Sequence, residues 1–198
     1  GGSATVHFPI WHQEIEDIIV LKNNKGTEDN RVRKLDYSIQ ISKLFYERFI
    51  SNGDITLFSP HDTPGLYDAF GTDKFDDLYT RYESDESIPK KTIGAQELIL
   101  DLLKERAETG RIYIMNIDHC NEHSSFKDKV NMSNLCQEIT LPTDPIQHID
   151  GEGEIALCIL SAINVGKLRN LDELEELCDL TVRALDELID YQGYPVDA

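Results

Sequence analysis

The stretch TIGAQELILDLLKERAETGRIYIMNI, residues 92–117, contains the change of pattern that decides the fold class. In residues 92–107 the apolar side chains recur three and four positions apart, which predicts a helix, and Thr109 and Gly110 end it. Residues 111–117 are rich in Ile and Tyr and predict a buried strand. A helix that leads directly into a buried strand is typical of α/β proteins.

The same two patterns alternate along the rest of the chain. Periodic apolar positions predict further helices at residues 15–20, 36–49, part of 66–82, and 171–191. Short apolar runs predict strands or extended segments at residues 55–58, 134–141 and 154–165. These strands are too few to close a barrel by themselves. The pattern therefore favours a chain that is one part of a larger α/β domain.

The composition argues against several classes of function. The chain has 37 acidic and 19 basic residues and a formal net charge of −18, which argues against broad nucleic-acid binding and predicts no DNA partner. It has no apolar run of 18 residues and no secretory leader pattern, so no membrane association is expected. Its four cysteines have long, irregular spacings with no CxxC pair, unlike the dense pattern of a disulfide scaffold, which favours the reducing cytoplasm.

The segment SNLCQEI, residues 133–139, combines three chemically different polar side chains. If it is extended, Asn134, Cys136 and Glu138 point to one side, roughly 7 Å apart in succession. An amide can orient a hydroxyl, a carboxylate can accept its proton, and a thiol can perform redox or radical chemistry. The alternative from the residues alone is an edge strand with a solvated polar face.

The remaining cysteines and histidines have simpler interpretations. Cys158 lies in an apolar run and is compatible with a small core side chain, as Cys178 is within the last helix. His119, Cys120 and His123 are close in sequence, but a zinc site needs a fourth ligand that the spacing does not show. Loop hydrogen bonds are the favoured interpretation, and no metal site is predicted.

At this point the residues resemble a known family. Asn134 to Ile139, NLCQEI, is similar to the finger-loop motif of class I ribonucleotide reductase large subunits. Further segments resemble the same family in order along the chain, most closely the versions of enterobacteria and T4-like phages. They are ATVHFPIW (4–11), VLKNNKG (20–26), NRVRKLDY (30–37), DITLFSP (54–60), PGLYDAF (64–70), TGRIYIMNIDHCN (109–121), GEIALC (153–158) and NLDELEEL (170–177).

The resemblance implies a fold and a set of residue roles. Residues 1–198 would be a single partial domain, a central slice of the family's ten-stranded α/β barrel that includes the finger loop. Cys136 would become the thiyl radical that removes the ribose 3′ hydrogen, Glu138 would take the 3′-hydroxyl proton, and Asn134 would bind substrate hydroxyls. Cys158 would be half of the redox-active dithiol whose other cysteine precedes this segment. Gly1 and Gly2 would end the effector-specificity loop.

The resemblance also implies an activity, cofactors and partners. The expected reaction is reduction of ribonucleoside diphosphates to 2′-deoxyribonucleoside diphosphates in the cytoplasm, by a homodimer of large subunits. ATP and dNTP effectors, a small subunit with a metal-radical cofactor, and thioredoxin or glutaredoxin would serve the complete enzyme. This chain alone is expected to bind no cofactor and to be inactive. The alternative is a split-gene piece that acts only by assembling with separate reductase polypeptides.

Overall fold

The computed structural model describes residues 2–23, 25, 27–148, 151–194 and 196. Their contacts divide the chain into two compact units, Gly1–Pro142 and Thr143–Ala198. The first unit contains the elements β1 (Thr5–Pro9), α1 (Ile15–Ile19), β2 (Asp36–Ile41), α2 (Lys43–Ile50), β3 (Asp54–Phe58), α3 (Leu66–Ala69), α4 (Phe75–Ser84), β4 (Lys90–Gly94), α5 (Ala95–Thr109), β5 (Ile112–Asn116) and α6 (Ile117–Glu122), with a short 3₁₀ turn at Glu28–Asn30. Mixed α/β architecture was predicted and is confirmed.

A three-stranded parallel sheet organises the first unit, with β2 between β1 and β5. Successive side chains of β2 lie on opposite faces of this sheet. Tyr37, Ile39 and Ile41 join the apolar core, whereas Ser38 and Gln40 lie on the opposite face and are nevertheless 0% and 2% exposed. The sheet therefore has one apolar face and one polar face that is also covered.

The core of the first unit is built around aromatic side chains. The ring centroids of Phe70 and Phe75 are 4.6 Å apart, and those of Phe75 and Tyr79 are 5.3 Å apart. Trp11 and Phe45 pack against the same group. The antiparallel pair β3 and β4 adds a second small sheet, and α2 and α5 pack beside it. This packing occupies the apolar face of the sheet and leaves the polar face to be covered by a loop.

Two predicted helices begin later than expected. Residues 36–41 form β2 and not the start of a helix, because Tyr37 and Ile39 have parallel neighbours in both β1 and β5 and Ile41 has one in β5; the helix begins only at Lys43. Thr92 and Ile93 likewise belong to β4, which pairs with β3, so α5 begins at Ala95. In both cases tertiary strand pairing outweighed a local helical pattern.

Two predicted strands are absent from the described residues. Residues 134–141 contain a turn and do not pair as a strand, because the Asn134 side chain accepts a hydrogen bond from the Ile139 amide and closes the turn. Residues 154–165 make a single bridge, between Asp144 and Glu154, and are mostly exposed. A strand needs a neighbour to satisfy its backbone, and this apolar run has none in the described part of its unit.

The second unit consists mainly of α7, Glu173–Tyr191, preceded by a 3₁₀ turn at Val165–Lys167. The prediction of a helix over residues 171–191 is confirmed. Acidic Glu173, Glu175 and Glu176 occupy its first turn, where the helix dipole favours negative charge. No side chain of α7 is buried, although its apolar residues follow a helical period. Across the described ranges, no helix has both the length and the apolar character needed to cross a membrane.

Candidate functional site

Residues 131–139, here called the 131–139 loop, carry the predicted chemical side chains. The chain turns at residues 135–137, where the Gln137 amide donates to the Asn134 carbonyl oxygen at 3.2 Å. Gln137 has a φ of 65°, a left-handed conformation that is uncommon outside glycine. Asn134, Cys136 and Glu138 thus lie in or beside one tight turn. The prediction of a strand with a column of evenly spaced side chains is wrong.

The side chain of Asn134 closes this turn. Its Oδ1 accepts a hydrogen bond from the Ile139 amide at 3.0 Å, and the Ser133 hydroxyl donates to the Ile139 carbonyl oxygen at 2.5 Å. Side-chain to backbone bonds of this kind stabilise turns in preference to strands. Among the described residues, the Asn134 amide nitrogen donates no hydrogen bond, so it can still donate to a ligand hydroxyl.

Cys136 and Glu138 are both exposed. They occupy alternate positions of the loop, on either side of Gln137, and present a thiol and a carboxylate to solvent. This arrangement can offer a sulfur atom and a proton acceptor to a molecule that approaches the loop from its open side.

The opposite side of the loop is held by the polar face of the sheet. Thr5 donates its hydroxyl to the Leu135 carbonyl oxygen at 2.7 Å, and the Gln137 side-chain amide donates to the Ser38 hydroxyl. The Gln40 amide donates to the Asn131 carbonyl oxygen at 2.7 Å. Sequence reasoning missed these contacts. The available signal was the alternation in DYSIQI, which places Ser38 and Gln40 on one face of a strand between two neighbours.

His7 provides a further contact between β1 and the loop. Its Nε2 lies 3.2 Å from the Ser133 carbonyl oxygen, and its Nδ1 is buried without a hydrogen-bond partner. Burial lowers the pKa of His7 below its usual value, and the bond to Ser133 opposes this only in part. The imidazole is therefore held in the neutral form more strongly than in water.

A cavity of about 320 Å³ lies beside the loop. It is lined by Ile114, Met115, Asn116, His119, Cys120, Ser133, Gln137 and Thr140. Burial, and secondarily the charge of Asp118, raises the pKa of the Cys120 thiol, which favours its protonated form. The rings of His119 and His123 have centroids 6.0 Å apart. Throughout the described ranges, no three His, Cys, Asp or Glu side chains converge with the geometry of a metal site.

The other predicted site residues lie elsewhere. Cys158 belongs to the second unit and is exposed, so its interpretation as a buried core side chain is wrong. Cys178 on α7 is also exposed, so among the described residues the packing role expected for it is not seen. Gly2 is exposed, and a Cβ placed on it would contact nothing within 4 Å. Gly1 lies outside the described residues.

Comparisons with known proteins give one consistent family. The family described as "Ribonucleotide reductase, barrel domain" matches residues 1–198. The ribonucleoside-diphosphate reductase subunit alpha of Haemophilus influenzae is 60% identical over 100% of this chain and 27% of that protein. The T4 phage protein of that name is 47% identical over 99% of this chain and 27% of its own length. The ribonucleoside-diphosphate reductase 1 subunit alpha of Escherichia coli is 58% identical over 74% of this chain and 20% of its own length.

Proposed function

This chain belongs to the ribonucleotide reductase barrel-domain family, and from that membership we propose that it forms part of a catalytic subunit that reduces ribonucleoside diphosphates to 2′-deoxyribonucleoside diphosphates. The chain spans about a quarter of the curated relatives it matches, so the activity is proposed for the complete subunit. The observation that carries the proposal is the exposed turn with Asn134, Cys136 and Glu138, within a chain that matches the family from end to end.

We assign the 131–139 loop as the finger loop of the family's ten-stranded barrel. Loss of the ribose 2′-hydroxyl by radical chemistry needs a hydrogen-abstracting group, a base and a reductant. Cys136 is the proposed thiyl radical that takes the 3′ hydrogen, and its exposure leaves the sulfur free to meet a substrate. Glu138 accepts the 3′-hydroxyl proton. The Asn134 amide nitrogen, which the turn does not use, donates to a substrate hydroxyl.

Cys158 is the proposed reducing thiol. Two thiols deliver two electrons to the 2′ position and become a disulfide, and the second thiol would come from another part of the complete subunit. Cys158 is exposed and can reach a partner thiol or an external reductant. Gly1 and Gly2 are proposed to end the loop that senses ATP and dNTP effectors.

The proposal includes the partners and place of the complete enzyme. A homodimer of large subunits would work with a radical-generating small subunit, which carries the metal-radical cofactor. Thioredoxin or glutaredoxin would restore the dithiol in the cytoplasm. We infer that this chain acts within one continuous subunit; a separately encoded piece that assembles with other reductase polypeptides is the competing arrangement. Sequencing the flanking DNA distinguishes a continuous reading frame from start and stop codons at the two ends.

The test of the proposed chemistry is Cys136→Ser in the complete large subunit, assayed with its small subunit and a thiol reductant. A serine hydroxyl cannot form a thiyl radical, so deoxynucleotide formation should fall to the detection limit. Cys178→Ser, at an exposed position on α7, is the matched control and should retain turnover. Appreciable product from the Cys136→Ser subunit would rule out the proposed role.

A further inference from the structure

We propose that Thr5 and Ser38, on the polar face of the sheet, are positioning residues that hold Cys136 in its reactive place through the backbone and side chain on either side of it. This inference rests on the proposed function, because it concerns the geometry of the same thiol. Neither residue touches a reacting atom in the proposed chemistry. Both act through the 131–139 loop.

The first contact fixes the chain immediately before Cys136. The Thr5 hydroxyl donates to the Leu135 carbonyl oxygen at 2.7 Å, and this carbonyl belongs to the peptide bond that leads into Cys136. Thr5 is the first residue of β1, whose position is set by its pairing with β2. The contact therefore ties the peptide plane before the thiol to a hydrogen-bonded strand.

The second contact fixes the chain immediately after Cys136. The Gln137 side-chain amide donates to the Ser38 hydroxyl, and Ser38 is fully buried in the central strand β2. Gln137 has a left-handed backbone conformation, which for a residue with a side chain costs energy and persists where surrounding contacts support it. The bond to Ser38 is such a contact.

The two contacts belong to a regular series along the loop. Alternate residues Asn131, Ser133, Leu135 and Gln137 each make a hydrogen bond to the sheet. Gln40, His7 and Thr5 bond to the carbonyl oxygens of the first three, and the Gln137 side-chain amide donates to the Ser38 hydroxyl. Of the residues between them, Met132, Cys136 and Glu138 are exposed, whereas Asn134 is half-buried and bonds to the loop's own backbone. The loop is thus held to the sheet by alternate residues while Cys136 and Glu138 stay exposed, without being a strand of the sheet.

Fixing the loop has a direct consequence for radical transfer. Hydrogen abstraction requires the sulfur to meet one particular hydrogen atom, and a displacement of about 1 Å can reduce a rate by about 100-fold. The Cys136 side chain itself is exposed, so few neighbours can hold it by packing. Its position is therefore set by the residues on either side of it, which are the two that Thr5 and Ser38 hold.

The test uses variants in the complete large subunit that each remove one hydrogen bond. Thr5→Val keeps the shape of the side chain, Gln137→Leu replaces the amide by an apolar side chain, and Thr5→Ser retains the hydroxyl. A single neutral hydrogen bond shifts an equilibrium by about fivefold, so each single variant should lose about fivefold in turnover. The pair should lose more than either variant alone, although not by the simple product, because both bonds hold the same loop. Thr5→Ser should recover most of the loss. Ser38→Ala added to Gln137→Leu should cause no further loss, because both changes remove the same bond.

Amide hydrogen exchange gives a readout that does not depend on catalysis. The amides of Gln137 and Ile139 are bonded within the turn and should exchange about fivefold faster in Thr5→Val and Gln137→Leu. The amide of Ile39 in β2, the central strand with a hydrogen-bonded neighbour on each side, should keep its protection, which shows that the sheet remains folded. Unchanged exchange in the loop, or general loss of protection in β2, would overturn the positioning role.

The failure of this inference can be told apart from failure of the proposed function. If the Cys136→Ser subunit still makes product, the function fails whatever Thr5 does. If Cys136→Ser is inactive while Thr5→Val and Gln137→Leu turn over as the unmodified subunit does, only the positioning role is overturned. Faster loop exchange, reduced turnover and rescue by Thr5→Ser together support it.

Discussion

Helices α5 and α7 have the same kind of apolar periodicity, yet only α5 buries it. On α5, Leu98, Ile99 and Leu102 are almost fully buried against the first unit, whereas Leu180 on α7 is 52% exposed. Both helices are well formed, since their hydrogen bonds lie within the helix itself. Periodicity therefore identifies the apolar side of a helix, but it does not show whether the same chain supplies a surface to cover that side.

The strands of the two units differ in the same way, and more strongly. Residues 112–116 form β5 because β2 lies beside them and accepts their backbone hydrogen bonds. Residues 154–165 are at least as apolar but have no strand neighbour in the described part of the second unit, and no strand forms. A strand cannot satisfy its own backbone as a helix can. The second unit is thus the region in which the sequence pattern and the observed structure diverge.

The largest expected effect is the loss of stability when a core side chain is truncated, which should differ strongly between the two units. Phe45→Ala removes a fully buried ring from the aromatic core and should lower the free energy of unfolding by about 3–5 kcal/mol. Leu180→Ala, at an exposed position of α7, should change it by less than about 0.5 kcal/mol. Urea denaturation of both variants provides the measurement. A comparable loss from Leu180→Ala would show that α7 is packed in solution and would contradict the difference in burial between α5 and α7.

Much of the first unit could be predicted from local pattern. The apolar positions of α5 and β5 are the ones that the structure buries, and Gly110 ends α5 in a left-handed conformation as expected. The assignment of residues 36–41 to a helix failed because the pattern over six residues does not reveal two neighbouring strands. The neighbours β1 and β5 are respectively about 30 residues before and about 75 residues after β2.

The site was predictable in its chemistry but not in its geometry. Asn134, Cys136 and Glu138 stand out as residue types, and the family resemblance identified their motif. Their turn combines a local bond to the Asn134 side chain with contacts to Thr5 and Ser38, each about 100 residues or more away in sequence, and those distant contacts could not be predicted. Contacts between residues so far apart are only weakly indicated by the local sequence, in this case by the alternation of polar and apolar residues within β2.

A smaller effect is expected from the ion pairs of the two regions. Arg48 and Glu83 form a bidentate pair with both N–O distances at 2.5 Å, and each side chain is only 18% exposed. Glu83 also accepts a hydrogen bond from the Thr56 hydroxyl at 2.7 Å. Glu83→Gln should lower the free energy of unfolding by about 1.5–3 kcal/mol, because it weakens charge-assisted bonds and leaves Arg48 without its counter-charge.

The matched pair in the second unit is Arg183 with Asp179, on the surface of α7. Asp179→Asn should change stability by at most about 0.5 kcal/mol, as is usual for an exposed pair four residues apart on a helix. Raising the salt concentration should reduce the Asp179 effect more than the Glu83 effect, since solvent ions screen exposed charges first. Equal losses in the two variants would contradict the difference in burial between the two regions.

The smallest effect concerns pH and the half-buried His7. Burial lowers its pKa in the folded chain below the usual 6.5, so the unfolded chain binds a proton more readily. Stability should therefore be highest above about pH 6.5 and should fall as the pH drops through that value towards the folded pKa. His12, whose pKa burial also lowers, contributes in the same direction. His7→Gln should reduce this pH dependence in urea denaturation series without abolishing it.

The control for His7 lies in the second unit, at the exposed His148. Comparing each variant with the unmodified chain at every pH removes the contributions of the acidic groups, which are common to both. His7→Gln also keeps an amide near the position of Nε2, so the bond to Ser133 can persist and the loop need not be released. If His148→Gln altered the pH dependence as much as His7→Gln does, burial in the first unit would not be its cause.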